Sequence, residues 1–401
     1  MLRKQEDEQM AVNNLDFNQL STVLNAIVKQ ATGQTVMTPT NTSEFVSVGN
    51  TALLAGYDKL ATGISQVLQR TIFSVRPYYR KFAGLEADSQ RWGAITRKLS
   101  IVDKDFENAT RFELVDGQEP PSMFSVRKPL VLQENFYGAN IFDKAVSIYR
   151  DQLDQAFTGP DQFGEFLAMV MGNVSDMREQ AYENMARATI GNLIGGIVET
   201  DNDNQVIHLL TEYNDQTGLS LTSETVYQPA NFAPFMKWVY SRVAEISAKL
   251  TERTNIYHTN VTGKIVNRHT PYDRQKVYLY APARYQMDSR VIADTFHDSY
   301  LRFADTETVN FWQSIQTPDS IQVQASYLQA DGTIGTAQSA RTISDIFGVI
   351  FDEDAAGIQF FNEWSAPTPF DARNGFYNDW YHWTIRYWNS FTENAILLLM
   401  D

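Results

Sequence analysis

A chain of 401 residues with 43% hydrophobic and 12% aromatic content can bury a large core, and its length suggests two to three domains. A net charge of −15 argues against a general phosphate-gripping surface, because affinity for duplex DNA comes mostly from Lys and Arg neutralising phosphates. The lack of cysteine excludes disulfide frameworks, thiolate metal sites and cysteine nucleophiles.

Residues 1–50 read as an N-terminal arm. Its first residues, Met1 to Glu8, carry charges with no apolar core behind them, unlike a signal peptide. No apolar run approaches the ~20 residues that span a bilayer. Leu20, Val23, Leu24 and Ile27 give one short helical face, while 31–50 is rich in Thr, Ser, Gly and Asn and is expected to be extended. Leu60, Ile64 and Leu68 repeat every four residues and predict a helix over 53–70.

Residues 92–101 and 128–138 read as strands. The stretch between them, Val102 to Val126, is polar, charged and turn-rich, and predicts a long projecting β-arm. Residues 141–157 are expected to form a short helix. A long amphipathic helix follows, from Gly159-Pro160-Asp161 to Gly195-Gly196. Apolar or small residues recur along it at Phe163, Phe166, Val170, Val174, Met177, Ala181, Met185 and Ala188, with gaps of three and four. About 30 residues make a rod of roughly 45 Å. The glycine pair is expected to end it.

A second module covers 206–345. Asn231 is a candidate cap for a helix with Met236, Val239, Val243, Ile246 and Leu250 on one face. Residues 276–282 predict a strand leading into a helix over 283–300, and 321–346 reads as strands and turns. The end of the chain is β again. Residues 347–351 and 357–362 flank Asp352-Glu353-Asp354, read as a hairpin turn. An aromatic-dense segment covers 376–388, and 393–400 predicts a buried final strand.

No chemistry-bearing motif emerges. Gly191 to Gly196 lacks the Gly-Lys-Ser/Thr ending of a phosphate loop. The five histidines, His208, His258, His269, His297 and His382, include no i, i+4 pair for zinc, and His382 sits among Trp380, Tyr381 and Trp383 as a packing residue. The Asp201/Asp203 turn lacks the glycine and bidentate Glu of a calcium loop. No Gly-x-Ser-x-Gly elbow is present, and a triad of distant residues stays open. The expectation is no catalytic, cofactor-binding or metal-binding residue.

The order of parts, together with 161–190, 276–289 and 347–400, resembles the major capsid proteins of tailed double-stranded DNA bacteriophages, the HK97-like fold. The resemblance covers about residues 50–401. It implies an α+β chain with an N-terminal arm (1–50), N-terminal helices and projecting E-loop (51–158), a peripheral-domain spine helix (159–205), an axial domain (206–345) and a C-terminal β return (346–401). It implies a structural, non-enzymatic subunit that self-assembles as hexamers and pentamers into an icosahedral shell around phage dsDNA, without sequence-specific binding or membrane contact. Such a virion capsid would assemble in the host bacterial cytoplasm with a portal protein and scaffold or decoration partners. Lys98, Lys104, Asp105, Glu107, Arg111 and Glu113 would make E-loop contacts to a neighbouring subunit. Phe166, Val170, Val174, Met177, Ala181 and Met185 would mark the buried spine-helix face. Some relatives crosslink through an E-loop lysine; Lys104 lies in the loop without an identifiable partner. Two alternatives stay open: an encapsulin-type nanocompartment shell, and an α+β enzyme with a dispersed active site.

Overall fold

A computed structural model describes residues 16–35, 38–68, 81–87, 95–102, 129–137, 140–200, 202–282, 285 and 306–401. Three helices come first: α1 (Phe17–Thr32), α2 (Thr42–Leu54) and α3 (Tyr57–Leu68). Asp16 and Gln19 form a capping box at the start of α1, satisfying orphan backbone donors there. Strands β1 (Ile95–Ile101) and β2 (Val131–Tyr137) follow, then β3 (Asn140–Tyr149) and α4 (Arg150–Ala156). The long helix is α5 (Pro160–Glu199). Next come β4 (Val206–His208), α6 (Leu209–Thr217), α7 (Pro229–Leu250), β5 (Gln275–Tyr280) and β6 (Thr306–Val309). Four short strands, β7 (Ile321–Val323), β8 (Ser326–Leu328), β9 (Ile334–Thr336) and β10 (Arg341–Ile343), precede β11 (Ile346–Asp352), β12 (Ala356–Pro367), β13 (Phe376–Asn389) and β14 (Ala395–Leu399).

Two sheets organise these elements. The five-stranded sheet runs β4-β14-β11-β5-β6. Both of its faces are covered. Ile396, Leu398, Val277, Leu279 and Ile350 pack on the side of α6 and α7, while Leu397, Leu399, Tyr278, Val349 and Phe351 join the core that includes the second half of α5. This is the period-two alternation of a strand, made apolar on both sides because both sides are buried. The predicted buried final strand is β14. The predicted apolar face of 231–250 is buried on α7, which starts at Pro229 with Gln228 as its cap.

The three-stranded sheet runs β12-β13-β3. Tyr377, Tyr381, Trp383 and Ile385 of β13 point inward and are buried. On the other face Trp364 stacks on His382 with centroids 3.9 Å apart, so His382 does pack among aromatic rings. The helical layer α1–α3 and the first part of α5 share a separate apolar cluster with Tyr377 and Ile148 of this sheet.

Four expectations need correction. The segment 140–149 is strand β3 rather than the start of a helix, because it pairs residue for residue with the aromatic strand β13; only 150–156 is helical. The segment 31–50 is not an extended arm: Asn41 accepts from the Glu44 amide and starts α2, whose Phe45, Val48 and Ala52 are buried on one face. Asp352-Glu353-Asp354 is no hairpin turn, since β11 pairs with β5 and β14 while β12 pairs with β13. The turn carries the chain between sheets, with Arg274 ion-paired to all three carboxylates. Gly195 and Gly196 lie inside α5, which is 40 residues long, roughly 60 Å. Most of the predicted helix over 283–300 lies outside the described residues.

Candidate functional site, the root of the β1–β2 hairpin

Strands β1 and β2 pair antiparallel, from Ile95 opposite Tyr137 to Ile101 opposite Val131. Alternation then sets two faces. Ser100, Val102 and Leu132 are buried on the inner face. Leu99 and Ile101 sit on the outer face with 66% and 70% of their surfaces exposed, and Val131 is exposed beside them.

The inner face is bonded into the body through the loop 390–394, which carries the chain from β13 to β14. Lys98 lies 2.5 Å from the Glu393 carboxylate and donates to Ser390 Oγ at 3.1 Å. Across the hairpin from Lys98, Glu134 accepts from Ser390 Oγ at 2.7 Å and from the Thr392 hydroxyl. Arg268 closes the group. It donates to Ser100 Oγ at 2.7 Å and to the Thr392 carbonyl at 3.0 Å, and lies 3.2 Å from Glu393. Burial pushes the Glu393 carboxyl up, and the Lys98 and Arg268 cations pull it back.

The network continues inward. The buried Asn394 side chain lies 3.2 Å from His258 Nδ1 and donates to Thr270 Oγ1, which donates to Asp352 at 2.9 Å. His258 Nε2 is 2.9 Å from the Val266 carbonyl, and burial holds the imidazole below its usual pKa. A chain of polar groups thus joins the hairpin root to the acidic turn between the sheets. Such a network fixes relative position because each member has a partner.

Of the predicted contact residues, Lys98 is therefore committed within its own chain. Lys104, Asp105, Glu107, Arg111 and Glu113 lie outside the described residues. On the long helix Phe166, Val170 and Val174 are buried, while Met177, Ala181 and Met185 are half-buried. The buried stripe continues instead through Tyr182, Ala186, Ile190, Leu193, Ile194 and Ile197. The stripe turns around the helix because its two ends face different cores, α1–α3 at one and the five-stranded sheet at the other. The sequence signal for this was the second apolar run, Ile190 to Val198, which continues past the glycines.

Among the described residues no group of three or more His, Asp or Glu is arranged to hold a metal, and no helix is long and apolar enough to cross a membrane. A cleft of about 410 Å³ beside the root mixes Arg253, Arg268 and Arg274 with Asp352, Asp354 and Glu393, so it gathers no single sign of charge. The arrangement ties the paired strands β1 and β2 to the loop 390–394.

The sequence profile of the Phi29-like phage major capsid protein family matches residues 24–399. The fold is similar to a chain of the Staphylococcus phage Andhra capsid, with TM-score 0.53 and 12% identity over 80% of this chain and 84% of that one. It is also similar to a chain in the structure of the head fiber and inner core protein gp22 of native bacteriophage P68, with TM-score 0.57 and 12% identity over 81% and 86%. Among curated proteins no sequence matches the chain.

Proposed function

The chain belongs to the Phi29-like phage major capsid protein family, and from that premise we infer how its parts serve a shell. It is a structural subunit of a phage capsid, and the family match favours the viral shell over a nanocompartment. Our reading is that the subunits form hexamers and pentamers, enclose dsDNA, meet a portal and scaffold or decoration proteins, and assemble in the cytoplasm of a bacterial host. The net charge of −15 suits a container that must not grip the packed duplex. A catalytic role has no support in the groups described above.

The observation that carries this reading is the two-faced hairpin. Its inner face is tied to the body by Lys98, Glu134 and Arg268, and its outer face offers Leu99 and Ile101 to solvent. A projection that is held firmly at its root and apolar outside suits a contact with a second copy. Because Lys98 is used internally, the polar pairs between subunits fall to Lys104, Asp105, Glu107, Arg111 and Glu113 on the arm itself. Each exposed pair contributes only ~0–1 kcal/mol, so repetition by symmetry and apolar contact supply the rest.

Deleting residues 104–121 tests this. The expected product is a folded subunit, with β1 and β2 still paired, that fails to close shells. Normal shells from the deletion would remove the arm from the account.

A further inference from the structure

A buried acid that the shell-forming role does not use lies between the two apolar clusters that divide this half of the molecule. Asp379 of β13 is 0% exposed, and neither of its carboxyl oxygens has a hydrogen-bond partner. Its neighbours on the inward face of β13 are Tyr377 and Tyr381, whose hydroxyls are also buried without partners. Tyr377 belongs to the cluster formed with α1–α3, and Tyr381 belongs to the cluster formed with the second half of α5. The seam between them is therefore polar at one point. Facing it from α3 is buried Ser65, whose Oγ lies 3.0 Å from Ser365 Oγ of β12.

The charged groups around the seam do not neutralise it. On β3, Val146 pairs with Asp379 and Lys144 pairs with Tyr381, so the lysine is one same-face step along the strand and not opposite the acid. On β12, Pro367 pairs with Asp379. Glu363 of the same strand is bound 2.5 Å from Arg178 of α5, so those two charges satisfy one another. The Ser65 and Tyr381 hydroxyls ease the charge on Asp379 without forming a bond of good geometry.

We propose that this cluster is a proton-gated seam: with Asp379 protonated, α3 stays seated on β13, and ionisation of Asp379 loosens α3 and the helices packed on it from the sheet. The physical reason is the cost of an unpaired buried carboxylate, which a neutral acid avoids. Burial pushes the Asp379 carboxyl above the usual range, and it raises both tyrosines as well. At low pH the acid is neutral in the folded and unfolded chain, so it costs nothing. As pH rises through the ordinary Asp value of about 3.9 the unfolded chain ionises first, and the penalty grows until the folded value is passed.

Amide hydrogen exchange of the full chain across this pH range, corrected for the intrinsic rate, reads the opening of α3 against that of α7, which packs in a separate cluster. In the wild type the α3 opening is expected to grow about tenfold relative to α7 for each unit by which folding raises the pKa. In Asp379→Asn, which keeps the shape and removes the ionisation, the ratio is expected to stay flat. The same pH response in both proteins would overturn the proposal. A wild-type ratio that does not change with pH would overturn it too, whether or not the variant folds.

Discussion

Replacing Glu393 with alanine is expected to lower the stability of the chain by about 3 kcal/mol and to release the hairpin from the body. Glu393 is 6% exposed and is the anion shared by Lys98 and Arg268. Removing it leaves the Lys98 and Arg268 cations without the anion they share. Breaking a buried pair in this way costs about 3–5 kcal/mol. The lower end applies because Glu134 stands across from Lys98 and takes up part of its charge. Urea unfolding gives the magnitude, and amide exchange in β1 and β2 gives the location. A loss below about 1 kcal/mol would place the pair among ordinary surface bridges and remove the root from the account.

Gly196→Ala and Gly191→Ala are expected to act in opposite directions, although both glycines lie in the same helix. A Cβ at position 196 would collide with the Phe391 ring and come within 3.2 Å of the Ser326 carbonyl. At position 195 it would meet Val323 Cγ1 at 2.6 Å and Ala325 at 2.8 Å. At position 191 nothing lies within 4 Å. Overpacking costs about 1–3 kcal/mol, and the gain in helix propensity from glycine to alanine is about 1 kcal/mol. Gly196→Ala should therefore lose about 2 kcal/mol, and Gly191→Ala should gain about 0.5–1 kcal/mol. Thermal and urea midpoints check both signs. Phe391 lies in the loop that carries Ser390, Thr392 and Glu393, so the Gly196 variant is also expected to loosen the hairpin root.

The same glycines explain why the helix end was misjudged from sequence. Gly-Gly after a long apolar face is the usual stop signal, and here it serves the close approach of Phe391 and the β7–β8 segment, a reason that lies some 130 to 200 residues downstream. Strand β3 was hidden in the same manner. Ile141, Ala145 and Ile148 have the four-and-three spacing of a helix face, and the deciding partner is β13, more than 200 residues away. By contrast, α7, β14, the pairing of the hairpin strands and the aromatic strand near the end were readable, because each carries its own periodicity. Of the hairpin root, only Lys98 was singled out in the sequence, and its ion pair with Glu393 within the chain was not. The root's other members, Glu134, Arg268, Ser390, Thr392 and Glu393, come from three separate segments with no motif spacing. Long-range charge pairs of this kind leave no local trace in a sequence.

The most direct test of the shell account is negative-stain electron microscopy of the full chain, beside size-exclusion chromatography, first alone and then co-expressed with the structural genes that flank it. Closed particles tens of nanometres across are expected in at least one of these preparations, on the order of what repeated copies of a subunit this size enclose. A folded chain that stays monomeric in all of them would contradict it.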